Sequence, residues 1–167
     1  MSYGNLTGPG DYFKFRRAIH DAMKQADGEC RLVEKEFAAR FGRKYGAVME
    51  YRTENADTII VGMGTMAREA EVAVDVLRKE GKKVGSMRVR QFRPFPHLDL
   101  EGKKVIALDR DCSFGAGGIL AQEIRFHNDV PVYSVIAGLG GQDVRYEALA
   151  DIVRSAKPEG EFWLGVD

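Results

Sequence analysis

Charged and glycine-rich residues gather at two points where an apolar run gives way to a helical pattern. At one, Asp109, Arg110 and Asp111 follow Val105-Ile106-Ala107-Leu108, and Ser113–Gly118 leads into Ile119, Leu120, Ile124 and Phe126 at helical spacing. At the other, Gly62-Met63-Gly64-Thr65 joins Thr58–Val61 to a segment with Met66, Ala70, Ala73, Val74 and Leu77 on one face. A helix start leaves backbone N–H groups without partners, and glycines let another surface come close, so both turns are suited to an anion. Arginines at 90, 93 and 110 are candidate charge partners for that anion. The candidate binding residues are therefore Gly64, Thr65, Arg90, Arg93, Arg110, Ser113, Gly115, Gly117 and Gly118. The same glycines would serve equally to close tight turns. The Asp109–Asp111 cluster would serve equally as paired structural charges or as a clasp on a partner chain.

Other chemistry is thin. Gly62-x-Gly64-x-x-Ala67 matches part of a dinucleotide fingerprint, but Gly85–Arg90, where that motif wants an acid for the ribose, holds none. The histidines at 20, 97 and 127 lack metal-ligand spacing. Two distant cysteines, Cys30 and Cys112, exclude a self-contained four-cysteine zinc or iron–sulfur site. Neither a nucleophile elbow nor a P-loop is present. No residue is nominated as catalytic or metal-binding, and anion-receiving loops without catalytic machinery indicate part of a larger enzyme.

The elements that must position these turns are those of one domain with a sizeable core in 167 residues. Hydrophobic content of 44%, charged content of 30% and zero net charge describe an ordinary globular chain with no global footprint for nucleic acid or an anionic membrane. No apolar run reaches the ~20 residues of a membrane span, the N-terminus lacks a signal-peptide pattern, and the cysteine usage suits a cytoplasmic location.

Residues 1–47 read as a linker followed by a helical hairpin. Asp11 would cap a helix bearing Tyr12, Phe15, Ile19, Met23 and Ala26, Gly28 would break it, and a second helix over Cys30–Phe41 would stop at Gly42. Residues 48–156 read as an α/β domain with strands at Val48–Arg52, Thr58–Val61, Lys83–Phe92, Val105–Leu108 and Val130–Ala137. Thr65 and Asp143 would cap two of its helices. Arg88 and Arg90 share one face of their strand, which places them near an edge, an interface or a solvated strand end. Residues 157–167 form a tail with apolar Phe162, Trp163 and Leu164. The order of elements predicts a three-layer α/β fold with a mostly parallel sheet.

Three stretches together resemble one family closely: Thr58–Pro96, Val105–Ile124 with its L-D-R-D-x-S-F-G-A-G-G, and Val132–Val144 with its A-G-L-G-G-x-D-V. They are similar to the C-terminal, transketolase-C-like domain of the alpha subunit of 2-oxoacid:ferredoxin oxidoreductases, of which pyruvate:ferredoxin oxidoreductase is the best known. The resemblance runs from about Tyr3 to about Val153; the G-x-G turn and R-P-F-P are shared more widely, with transketolase and with the beta subunits of 2-oxoacid dehydrogenases. It implies the transketolase C-terminal fold and a place in oxidative decarboxylation of a 2-oxoacid on thiamine diphosphate. In that reaction iron–sulfur clusters carry electrons to ferredoxin and coenzyme A takes the acyl group. The thiamine-binding domains and cluster cysteines lie outside what this chain matches, so the chain alone is expected to bind none of these cofactors and to be inactive. Its expected partners are the thiamine-binding and iron–sulfur subunits and, indirectly, ferredoxin. The candidate residues above would then belong to a coenzyme A cleft, or the chain would be an assembly module only. Two departures stand out: the connection His97–Gly102 is short for a crossover helix, and Gln142 stands where the family often has arginine.

Overall fold

Ile59, Ile60 and Val61 are all buried because their strand sits in the middle of a sheet covered on both faces. The structure, a computed structural model, describes residues 6–166. In chain order its elements are α1 (Pro9–Phe41), β1 (Val48–Tyr51), β2 (Thr58–Gly62), α2 (Gly64–Lys79), β3 (Val84–Val89), β4 (Lys104–Asp109), α3 (Ile119–His127), β5 (Val132–Ile136), a 3-10 turn (Leu139–Gly141), α4 (Tyr146–Ser155) and β6 (Gly160–Trp163). The chain divides into two compact units, Met1–Gly46 and Ala47–Asp167.

In the second unit the six strands lie in the order β1-β3-β2-β4-β5-β6. Only the β1–β3 pair is antiparallel; β3, β2 and β4 are parallel neighbours, as are β4, β5 and β6. One face packs on α2 and α4 through Ala70, Val74, Leu77, Leu149 and Ile152. The other packs on α3 through Leu120, Ala121 and Ile124. These are the three layers and the mostly parallel sheet expected from the apolar runs. No helix links β3 to β4: the extended segment between them instead drives Leu98 and Leu100 into the second face, where both are fully buried.

Several expectations are corrected. The N-terminal hairpin is one 33-residue helix: Gly28 lies inside α1, and only Gly42, in the left-handed conformation, ends it. A glycine within a helix costs only about 1 kcal/mol, too little to break two apolar stripes that are in phase across it. The linker expected ahead of Asp11 lies partly outside the described residues, and Pro9 and Gly10 already belong to α1. The apolar tail contributes β6, pairing Glu161, Phe162 and Trp163 with Ser134, Val135 and Ile136. Arg88 sits one strand in from the edge, because β1 pairs outside β3; its Nη2 lies 2.7 Å from Met49 Sδ.

At Gly85 on β3, an added β-carbon would stand 2.6 Å from the carbonyl oxygen of Arg52 and 3.0 Å from Thr53 Cα. Both neighbours are backbone, so neither can turn aside. Gly85→Ala should therefore lower stability by about 1–3 kcal/mol, measured by urea unfolding. An unchanged midpoint would mean that the 52–53 segment moves freely.

Candidate functional site

Parallel sheets expose a crevice where neighbouring strands send their connections to opposite faces. Here that point lies between β2 and β4. After β2 the chain enters α2 on one face, and after β4 it enters α3 on the other. A cleft of about 410 Å³ occupies this position, lined by Met63–Met66 at the start of α2, Phe92 beyond β3, Leu108–Asp111 at the end of β4, and Leu120 of α3.

The two helix starts at this edge are in different electrostatic states. At α3 the chain fills its own anion site. Asp109, only 3% exposed, accepts from the Leu120 and Ala121 amides at 2.7 and 3.1 Å, and Asp111 accepts from the Ile119 amide at 3.0 Å. Gly118 N–H donates to Ser134 Oγ at 3.3 Å. The expectation of a helix start free to receive a ligand after Ser113–Gly118 is thus corrected: carboxylates eight to twelve residues away satisfy the Ile119, Leu120 and Ala121 amides first. Burial pushes the Asp109 carboxyl up to about 6, despite the two amide hydrogen bonds that pull it down. At α2, by contrast, Met63 occupies the cap position, no side chain caps the helix, and no acid lies in its first turn. Thr65, expected as the cap, falls inside the helix, as the cap of α4 falls to Arg145 rather than Asp143. The dipole of α2 therefore meets the cleft without an internal counter-charge at its own start.

Of the sequence candidates, Gly64, Thr65 and Arg110 meet in this cleft. Arg110 makes no ion pair or side-chain hydrogen bond among the described residues, and its guanidinium lies over Gly138, where an added β-carbon would stand 2.9 Å from Nε. Gly138 in turn lines a second cleft of about 380 Å³, with Gln142, Asp143 and Arg145. Arg110 thus stands between two clefts on one sheet edge.

The other candidates are placed differently. Arg93 pairs with Glu123 at 2.6 Å and stacks 4.4 Å from the Phe92 ring. Arg90 follows β3, its amide held by Ala47 O at 2.8 Å. Ser113, Gly115, Gly117 and Gly118 build the turn before α3, closed by Ser113 N–H to Gly117 O at 2.8 Å, and do not line the cleft. Within this turn Cys112 is no activated nucleophile, since burial and the nearby Glu161, Asp111 and Asp109 push its thiol up. Sequence reasoning missed Phe92 and Met63 as cleft walls. An aromatic just past a strand end carries no local signal of where the strand's neighbours will place it.

Among the described residues, no group of three or more His, Cys, Asp or Glu could hold a metal ion, and no helix is long and apolar enough to cross a membrane.

Comparison with known proteins gives this edge a context. A profile for pyruvate:ferredoxin oxidoreductase core domain II matches residues 56–149. Pyruvate synthase subunit PorA of Methanothermobacter thermautotrophicus is 37% identical over 174 residues, covering 99% of this chain and 45% of that protein. Ketoisovalerate oxidoreductase subunit VorA of Pyrococcus horikoshii is 41% identical over 168 residues, covering 94% of this chain and 43% of that protein. Among solved structures, 2-oxoglutarate:ferredoxin oxidoreductase from Magnetococcus marinus, with 2-oxoglutarate, coenzyme A and succinyl-CoA bound, is similar with a TM-score of 0.54 and 25% identity, over 82% of this chain and 23% of that one. The chain spans less than half the length of the curated relatives it matches. The profile, the relatives and the shared sheet agree, and the chain belongs to the pyruvate:ferredoxin oxidoreductase core domain II family.

Proposed function

We propose that this chain is the C-terminal domain of an alpha-type subunit in a cytoplasmic 2-oxoacid:ferredoxin oxidoreductase, with pyruvate as the first substrate to try. Its role is to supply one wall of a coenzyme A cleft and surface for subunit assembly, and the reacting groups come from elsewhere. Thiamine diphosphate and the iron–sulfur clusters are assigned to partner domains or subunits, which pass electrons on to ferredoxin. The observation that carries the reading is the cleft between β2 and β4, where the uncapped α2 start meets an arginine without an ion-pair partner.

The residues present fit such a ligand. Coenzyme A is elongated and polyanionic, and its thiol accepts the acyl group when it is bound. The first amides of α2 at Gly64 and Thr65 can donate to phosphate oxygens, Arg110 can neutralise a pyrophosphate, and Met63 and Phe92 form an apolar wall. Asp109 and Asp111 line the same cleft, but both are held by α3 amides. Support also comes from the solved relative, which was obtained with coenzyme A and succinyl-CoA bound.

In the reconstituted complex, Arg110→Ala and Thr65→Asp should each raise the half-saturating coenzyme A concentration roughly 10-fold, the loss or opposition of one charged contact. Decarboxylation that does not need coenzyme A should continue unchanged. If both activities fall together, these residues maintain structure and the cleft assignment is wrong. A second reading, assembly alone, has in its favour Phe114 and Phe126, which are 96% and 84% exposed on and after the glycine turn. Under it, neither substitution would alter the coenzyme A requirement.

A further inference from the structure

A helix of 33 residues is about 50 Å long, and in water most of its stability must come from covering an apolar face. No residue of α1 is buried. Yet Tyr12, Phe15, Ile19, Met23, Ala26, Cys30, Val33, Phe37 and Phe41 recur at steps of three and four, so they form one continuous stripe. Tyr12, Phe15, Ile19, Met23, Val33 and Phe41 are exposed, from 43% at Met23 to 63% at Val33, while Phe37 is half-buried against Phe41 and Tyr45. The stripe is a seam without its other half.

We propose that α1 pairs antiparallel with α1 of a second copy of this chain, crossing at Ala26. In that arrangement Phe15 of one copy meets Phe37 of the other, Ile19 meets Val33, Met23 meets Cys30 and Tyr12 meets Phe41, so every stripe residue finds a stripe residue. The small Ala26 sits at the two-fold axis, where the helices come closest, and the contact is self-complementary as a two-fold interface requires.

The charges beside the stripe select this partner and this direction. In an antiparallel pair, flanking residues on the same side of the stripe face one another. On one side Arg16 then meets Glu34, and on the other Asp11 meets Arg40, which gives four attractive pairs across the axis. Arg16, Glu34 and Arg40 form no ion pair among the described residues, and Asp11 is held only by an exposed Lys14 at 3.2 Å. Two copies of Asp27 approach near the crossing, but each is already neutralised by its own Arg31 at 2.8 Å. Parallel pairing in register would instead set Glu29 against Glu34. A paired face ~50 Å long is of the same order as the roughly 800 Å² per partner found in stable interfaces.

This inference does not rest on the oxidoreductase reading. The full chain, examined by light scattering over about 1–100 μM, at and above the weak end of the micromolar-to-picomolar affinities of interfaces of this size, should be a dimer. Ile19→Asp places a charge twice in the seam and should raise the dissociation constant about 100-fold or more. Emission from Trp163, the single tryptophan, reports on β6 and should stay unchanged, which separates loss of pairing from loss of fold. Arg16→Glu should weaken the dimer, and Arg16→Glu combined with Glu34→Arg should restore it, an outcome a merely apolar association would not give. A monomer at all concentrations, a dimer indifferent to Ile19→Asp, or failure of the charge exchange to restore pairing would each overturn the proposal.

Discussion

Gly118→Ala should destabilise the protein by about 3 kcal/mol or more, a large share of the total for a domain of this size. The backbone is not the reason: Gly118 has an ordinary extended conformation, with φ of −68°. The reason is Asp109. An added β-carbon would overlap the Asp109 carboxylate and lie 2.6 Å from its β-carbon, which is too close for rotation of the side chain to relieve. Accommodating it means displacing the group that holds the Leu120 and Ala121 amides, and so loosening the start of α3. Gly115 is the control. It has φ of +81° with open space around its missing β-carbon, so Gly115→Ala should cost only the left-handed backbone penalty of about 1–2 kcal/mol. A double-mutant cycle makes the claim specific. Asp109→Gly with Gly118→Ala should cost clearly less than the sum of the single changes, because the clash disappears with the whole side chain, β-carbon included. Strict additivity would show that the two residues are not in contact.

The second expected result is that the protein becomes more stable on mild acidification. Asp109 titrates near 6 when folded and near 3.9 when unfolded, so the folded state binds its proton more tightly. A carboxyl shifted upward contributes stability that is full below the unfolded value and is lost as pH rises through the folded one. Between pH 7 and pH 5 the gain should be about 1 kcal/mol. Burial dominates the shift, with Asp111 adding to it and Arg125 opposing it. Glu80 has the opposite sign: its hydrogen bond to Arg154 holds its carboxyl below the usual range, so its contribution is lost only in stronger acid, outside this window. The comparison is with Asp109→Asn, in which every other ionisable residue is retained. Urea unfolding at pH 7, 6 and 5 should show the acid gain in the wild type and a gain smaller by about 1 kcal/mol in the variant. Parallel pH profiles would place the titrating group elsewhere.

These two results turn on contacts that sequence reading does not reach, while the framework around them was legible. The strands β2, β4 and β5 stand out because burial on both faces demands near-continuous apolar runs, and their boundaries follow from the turns that interrupt them. Gly42 was recognisable as a helix stop because a left-handed residue with no side-chain cost is what a helix end uses. Gly28 was misleading because the same residue type, placed inside a long stripe, is merely tolerated. Caps failed for a related reason. Thr65 and Asp143 satisfy the local rule, yet α2 and α4 begin without a side-chain cap, and α3 is capped from the far side of a loop. β6 was missed because a four-residue edge strand takes its definition from β5, not from its own pattern. In the cleft, Gly64, Thr65 and Arg110 were accessible from spacing. Phe92 was not, since only the strand order brings it to them.

The strand order also bears on how the chain could assemble while it is being made. β2 precedes both of its eventual neighbours. β3 then adds on one side and also gives the waiting β1 its partner, β4 adds on the other side, β5 adds beside β4, and β6 beside β5. Each strand after β2 therefore emerges from the ribosome to find its template already synthesised, and only β3 comes to lie between two strands made before it, β1 and β2. From β4 onward the sheet grows outward on one side and keeps a single open edge there, which limits the stretch of unpaired backbone exposed to misassembly during translation.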